Sequence, residues 1–295
     1  MAAPAEKNNL TKLAVIGGSD AHRVLDKDYP GEELGERVTP FGRSEPIRLV
    51  STDKGAFFFL PRHGRKGYEK SAPFVNYRAN IYALKDLGAE FVLSWSGPGA
   101  INPDFKPGSF VIPDDLIDET RNRKSTFFEN KGIGFIRHNP VFCPTLREVL
   151  KNSLSAEGIA FTAAATYVVT EGPRLETPAE IKKFRMFGAD LVGMTLAPEI
   201  FLAKELEMHY AVLCYISNTA EGLTDRKFRP GVLFEGLANN NELSAAKSAV
   251  DRMSSIVRRV QEKLPETAPI CQCGALMERY RKSGIIGADF REYVR

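Results

Sequence analysis

The sequence predicts an α/β fold built in layers around a largely covered sheet, and three observations carry that expectation. Short apolar runs recur along the whole chain, segments with apolar residues at helical spacing separate them, and Gly, Pro or small polar residues mark the junctions. Strands that alternate with helices in this way place helices on the sheet faces, so the strands read as continuous apolar runs.

In chain order, the polar, Ala-rich residues 1–11 read as a frayed lead-in. A strand over 13–16 feeds a tight turn at Gly17-Gly18-Ser19. Strands follow over 47–50 and 57–60, the second opening onto Pro61-Arg62-His63-Gly64. Helical spacing runs over 75–87 and stops at Gly88. Strands at 91–94 and 110–112 precede a helix over 144–158, with Pro144 near its first turn and Gly158 near its end. The pattern continues as strand 165–169, helix 178–187, strand 190–192, helix 198–206 and strand 210–216, and a last helix occupies about 243–263. The stretch 220–242, with its Asn239-Asn240-Asn241 run, reads as a surface excursion near the active site. No Pro/Ser-rich linker divides the chain, so one domain is expected over 1–295, with a core of about 12–265 and a peripheral extension over 266–295.

Composition narrows the class. Lys+Arg 40 against Asp+Glu 37 leaves +3, too small an imbalance for a nucleic-acid partner, and the basic residues form no stripe. The sequence has neither a run of 18 apolar residues nor a basic-then-apolar start, so no membrane partner and a cytoplasmic location are expected. Cys143 and Cys214 lie among apolar neighbours and read as buried thiols. The Cys271-Gln272-Cys273 pair reads as an exposed or structural thiol pair. One pair is too few for a four-ligand zinc site and no histidine follows it, so no metal is expected.

Several polar groups sit just beyond apolar runs, where open α/β sheets place ligands. Ser19 follows a double glycine, and its hydroxyl and neighbouring N–H groups can cradle an anion. The same three residues also make an ordinary turn, and they complete neither a dinucleotide fingerprint nor a P-loop. Arg62 offers a planar fork for phosphate and His63 a second donor, although the pair also suits a solvated basic loop. Ser96 and Gly97 lie in a turn whose small residues permit close backbone approach. Met194 and Thr195 set a thioether beside a hydroxyl, and a core methionine is the plainer reading of the former. Glu176 precedes a helix, where it is either a first-turn acid or an acceptor for a ring N–H and an amino group. Asn218 can match a carbonyl oxygen and a ring nitrogen together, or simply make a turn.

Taken with Thr39-Pro40-Phe41-Gly42, Asn76-Tyr77-Arg78-Ala79-Asn80, Asn102-Pro103 and Pro198-Glu199, these stretches occur in an order and spacing that resemble the trimeric purine nucleoside phosphorylase and methylthioadenosine phosphorylase family, over about residues 12–219. The resemblance implies a three-layer α/β/α fold with a central mixed, partly barrel-like sheet. It implies a phosphate site of Ser19, Arg62, His63, Ser96, Gly97 and Thr195, with Met194 against the ribose and Glu176 and Asn218 on the base. Asn218 and His63 would act in catalysis. Inorganic phosphate would be the co-substrate, with no other cofactor and no metal, and the partners would be a purine nucleoside and copies of the chain in a homotrimer or a dimer of trimers.

Base choice follows from Glu176 and Asn218. Members of the family that take 6-aminopurines resemble one another in carrying Asp where this chain has Asn218 and Ser where it has Glu176. Members that take 6-oxopurines carry the Glu and Asn pair. At the 5′ end the histidine pattern departs from both groups: no histidine follows His209, and Gly67 stands near the methylthio-type position. A methylthio group is therefore an alternative to the 5′-hydroxyl, with His138 in the 135–142 segment as a candidate contact. The competing expectations are a methylthioadenosine phosphorylase and a nucleoside-binding protein without turnover.

Overall fold

The computed structural model describes residues 12–18, 24, 27, 28, 30–224, 231 and 239–295. Ser19 and most of the 220–242 excursion lie outside the described residues. The chain opens with β1 (Leu13–Gly17), β2 (Gly31–Gly35), the ribbon β3 (Val38–Thr39) and β4 (Gly42–Arg43), and then β5 (Ile47–Thr52) and β6 (Gly55–Pro61). The helix expected over 75–87 is α1 (Tyr77–Asp86), which begins where the Asn76 side chain accepts the Ala79 N–H. It leads to β7 (Phe91–Ser96), β8 (Gly99–Ala100), β9 (Phe110–Val111) and β10 (Asp115–Glu119). Next come α2 (Pro144–Ala156), β11 (Phe161–Thr162), β12 (Thr166–Thr170), α3 (Pro178–Met186), β13 (Leu191–Gly193) and α4 (Leu196–Glu205). β14 (His209–Tyr215) and β15 (Asn218–Thr219) complete the strands.

β1 shows why its run is apolar throughout. Its neighbours β6 and β7 are both parallel to it, Val15 lying opposite Phe59 on one side and Leu93 on the other. Ala14 and Ile16 point to a cluster shared with Phe58, Leu60, Val92 and Val212 and with Ile81, Leu84 and Ile200 of α1 and α4. Leu13 and Val15 point the other way, to Phe57, Phe59, Leu93 and Leu213 and to Leu146, Val149 and Leu150 of α2. Period-two alternation thus feeds two cores, and helices cover both faces. The three layers are present.

The sheet order is β11-β9-β14-β7-β1-β6-β5-β2, while a second sheet runs β10-β12-β13-β8-β15. Both mix parallel and antiparallel pairs, and the two sheets part at the short turns from β7 to β8 and from β14 to β15. The chain therefore forms two open mixed sheets and no closed barrel among the described residues.

The last long helix is two: α5 (Asn240–Asp251) and α6 (Met253–Lys263), parted at Arg252. Asn239 and Glu242 close a reciprocal capping box at the start of α5, so the Asn-rich run ends in a helix start. Two short helices follow, α7 (Glu278–Lys282) and α8 (Phe290–Tyr293). The 266–295 segment, expected at the periphery, sends Met277, Tyr280, Phe290 and Val294 into the same core cluster as α1 and α4. Among the described residues no helix is long and apolar enough to cross a membrane.

Candidate active site

The carboxyl ends of β6, β7, β12, β13 and β14 meet at one rim of the molecule, and β8 and β15 start from the same rim. Arg62 emerges directly from β6, its backbone N–H held by the Gly17 carbonyl at 3.0 Å. Its guanidinium is buried and forms a bidentate pair with Glu199 of α4, Nε to Oε2 at 2.6 Å and Nη2 to Oε1 at 2.9 Å. Nη2 also donates to Ser94 Oγ at 2.5 Å, and Nη1 donates to Thr195 Oγ1 at 2.9 Å. Tyr210 of β14 donates to Glu199 Oε1 at 2.6 Å. Burial is the largest single influence on Arg62 and would lower its pKa, but the charge and hydrogen bonds of Glu199, with Tyr210 and Tyr77, together outweigh it and raise the pKa, so the guanidinium stays ionised. The planar fork expected to take phosphate is thus occupied by Glu199. Arg62 has five N–H donors and the bonds above use four, which leaves an Nη1 hydrogen beside Thr195.

Thr195 stands at the N-terminus of α4 with its hydroxyl free of capping duty, and it is 7% exposed. Ala197 in that first turn is non-helical (φ −100°, ψ 133°), so no regular helix terminus adds to this corner, and the available Thr195 hydroxyl beside the Arg62 cation edge is what can hold an anion. Ser96, at the end of β7, lies 2.8 Å from the Tyr167 hydroxyl. His63 is buried beside Arg62, and its Nδ1 lies 2.8 Å from the Lys70 carbonyl. A carbonyl only accepts, so Nδ1 carries the proton. Burial first, then the Arg62 charge, lowers the His63 pKa to about 4. The ring is neutral near pH 7, and Nε2 presents a lone pair, whereas a donor was expected.

Glu176 immediately precedes α3, whose Thr177 and Glu180 form a capping box, so the local N-cap role belongs to Thr177. Glu176 is itself 9% exposed and accepts a hydrogen bond from the Thr170 hydroxyl at 2.5 Å. Burial raises its pKa. Among the described residues it has no cation within salt-bridge distance, an unusual state for a buried carboxylate. Asn218 opens β15, paired with Gly99 of β8. Its Nδ2 donates to the Thr219 carbonyl at 2.8 Å, which fixes the amide orientation, and its Oδ1 lies 2.6 Å from Ser217 Oγ. One Nδ2 hydrogen remains for a ligand. Met194 packs over Gly172, where an added Cβ would meet its sulfur at 2.6 Å.

Sequence reasoning missed the residues that hold this rim together. Arg123, with a buried side chain, donates to the carbonyls of Thr170, Glu171, Met194 and Ala197 and so ties the end of β12, which leads to Glu176, to the Thr195 turn. Glu199 stood in a matched stretch without its role as the Arg62 partner being legible, and Tyr210 and Tyr167 were equally silent. Their partners are 137, 11 and 71 residues distant in sequence, and no local spacing announces them.

The description "Phosphorylase superfamily" matches residues 12–262. The chain belongs to that superfamily. A 6-oxopurine nucleoside phosphorylase of Pyrococcus furiosus is 37% identical over 243 residues, covering 79% of this chain and 89% of the relative. A "probable S-methyl-5'-thioinosine phosphorylase" of Methanothermobacter thermautotrophicus is 38% identical over 223 residues, 76% of this chain and 77% of the relative. Among solved structures, a methylthioadenosine phosphorylase from an antarctic soil metagenomic library superposes with a TM-score of 0.79 at 28% identity, covering 91% of each chain. The phosphorylase fold is therefore the one expected from the sequence, in its open form.

Proposed function

We propose that this phosphorylase cleaves the N-glycosidic bond of 6-oxopurine nucleosides (inosine, guanosine or methylthioinosine) with inorganic phosphate, releasing the base and ribose 1-phosphate or its 5-methylthio analogue. The observation that carries the proposal is the buried Glu176 carboxylate, which has no cation within salt-bridge distance among the described residues. Hypoxanthine and guanine present an N1–H to such a group and make a charge-assisted bond. Adenine presents a lone pair there, and leaving the carboxylate unmatched costs about 1–3 kcal/mol, enough for ten- to hundred-fold discrimination.

In this reading phosphate binds at Thr195, Ser96, the Gly97 N–H and the Arg62 Nη1 edge, with Ser19 completing the cradle and Met194 against the ribose. One phosphate oxygen attacks C1′ as the C1′–N9 bond breaks, and the bonding pair leaves with the base. Asn218 donates its remaining N–H to the purine as negative charge grows there, while Glu176 holds N1–H and so fixes the ring. His63 stays neutral and accepts a hydrogen bond from the P–OH of hydrogenphosphate through Nε2, which leaves the unprotonated oxygens facing C1′, and the departing purine anion takes its ring proton from solvent. Phosphate is itself the nucleophile, so the scheme contains no covalent enzyme intermediate. The exposed Phe135 supports a further part of the proposal, that the 135–142 segment packs on a neighbour in a trimer or a dimer of trimers. A cytoplasmic location belongs to the same proposal.

The deciding experiment measures base release from inosine, guanosine, methylthioinosine, adenosine and methylthioadenosine, each with and without phosphate. Faster cleavage of either adenine nucleoside than of every 6-oxo substrate overturns the base assignment in favour of a methylthioadenosine phosphorylase. Binding without phosphate-dependent release overturns the enzyme reading altogether.

A further inference from the structure

The far end of β14 carries a second cluster of chemistry-bearing side chains. Cys143, His209, Cys271 and Cys273 bring one donor atom each to within 4.8 Å of one another. Cys143 Sγ lies 3.5 Å from Cys271 Sγ, and His209 Nδ1 lies 3.1 Å from Cys271 Sγ and 3.3 Å from Cys143 Sγ. We propose that these four residues are a closed, structural zinc site that clasps the C-terminal segment onto the core.

Donor type and number fit that ion. Three thiolates and one imidazole are a tetrahedral structural set, and Zn–S bonds of about 2.3 Å place ligand sulfurs roughly 3.8 Å apart, close to the spacing seen here. All four positions come from protein, with none left open for water, which marks a structural rather than a catalytic centre. A disulfide would use two of the thiols and leave the imidazole pointing at a bonded sulfur without purpose. The surroundings suit the ion as well. His209 stacks on Phe91 with centroids 4.4 Å apart and planes 15° apart, which fixes the ring direction. Cys143 caps the N-terminus of α2 and accepts the Leu146 N–H, an environment that favours thiolate. Zinc with three thiolates carries one net negative charge, and the Lys204 ammonium lies within electrostatic reach of Cys143 and Cys273. Binding exchanges each thiol proton for a Zn–S bond and releases up to three protons, with no change in oxidation state.

Position assigns the role. His209 begins β14 and Cys143 precedes α2, whereas Cys271 and Cys273 lie between α6 and α7. β14 spans seven residues, so the cluster lies about 20 Å from the rim where Asn218 stands. Three further contacts anchor the same segment: Ile270 N–H donates to Thr145 Oγ1 at 2.9 Å, and Glu207 receives both Arg281 and the Met277 N–H. The site closes the one stretch that must fold back before Met277, Tyr280 and Phe290 can enter the core.

The test uses the full chain, purified under reducing conditions from zinc-supplemented cells without chelator. Elemental analysis should give one zinc per chain, and C271S/C273S should lose it. Cobalt(II) added to stripped protein should produce strong thiolate charge-transfer bands, and stripping should lower the melting temperature. Should the double variant not fold, mercurial titration of the wild type still decides, because zinc must be released in step with thiol modification. A chain that stays metal-free after reconstitution with one equivalent of zinc overturns the proposal, and so does a non-reduced mass two daltons light from a disulfide within the cluster.

Discussion

Arg62 and Glu199 face each other as a doubly hydrogen-bonded pair in which both side chains are 1% exposed. The pair joins the end of β6 to α4 beneath Thr195, so the guanidinium edge that would meet an anion is set by a carboxylate behind it. Removing one partner of such a pair leaves an uncompensated buried charge and typically costs about 3–5 kcal/mol. E199Q should therefore destabilise the chain by roughly that amount in urea unfolding and raise the KM for phosphate. An unchanged unfolding midpoint together with an unchanged phosphate KM would separate Glu199 from the anion corner.

In the proposed reaction Glu176 and Asn218 would divide the base edge between them. E176Q retains shape but loses charge, so kcat/KM for inosine and guanosine should fall by about ten- to hundred-fold, with a smaller loss for adenosine. N218D should move the preference toward 6-amino bases, because an aspartate accepts from the exocyclic amino group where the amide donated. Competition assays with mixed inosine and adenosine report both shifts directly. Equal losses on both substrates in both variants would remove these residues from base recognition.

His63 gives a pH signature of its own. Its pKa falls from about 6.5 in the unfolded chain to about 4 in the native site, so between these values the unfolded chain binds more protons. Stability from this group is therefore complete above pH 6.5 and is lost as pH falls toward 4. The full shift corresponds to roughly 3 kcal/mol. Glu205 runs the opposite way: burial raises its carboxyl to about 7, so its contribution declines as pH rises from 4.5 to 7. The two are separated by comparing wild type with H63Q. Between pH 6.5 and pH 4 the wild type should lose about 3 kcal/mol more than the variant. Parallel stability curves would mean that His63 is not held neutral.

The sequence made some of this legible for a definite physical reason. β1, β6, β7 and β14 are buried on both faces, so each is built around a continuous apolar run. Arg62, Ser96, Thr195 and Asn218 then fall at or just beyond strand ends where a site belongs. Strand β10 was missed because Asp115 and Asp118 interrupt it at its exposed positions. β8 and β15 were missed because two residues carry no period. Helix 243–263 was read as one because its apolar spacing continues across Arg252, where the backbone breaks without Gly or Pro. The Cys143–His209–Cys271–Cys273 cluster was invisible to local spacing, since its members come from three separate parts of the chain. Tertiary closure, rather than motif, created both that cluster and the Arg62–Glu199 pair.

Gly193 tests whether the rim tolerates any added volume. It ends β13 at the level of the Tyr167 hydroxyl, and an added Cβ would lie 1.9 Å from that oxygen and 2.8 Å from the ring carbon bearing it. Tyr167 is fully buried, and its hydroxyl holds Ser96, so it has little room to withdraw. G193A must therefore push the Tyr167 side chain or β13 itself, at a typical overpacking cost of about 1–3 kcal/mol. The displaced hydroxyl releases Ser96, so kcat/KM with respect to phosphate should fall along with stability. Y167F in the G193A background removes the closest atom and should recover part of the lost stability. The Ser96 contact stays broken, so phosphate affinity should not return with it. Recovery of both together would mean that Tyr167 fills space at the rim but does not position Ser96.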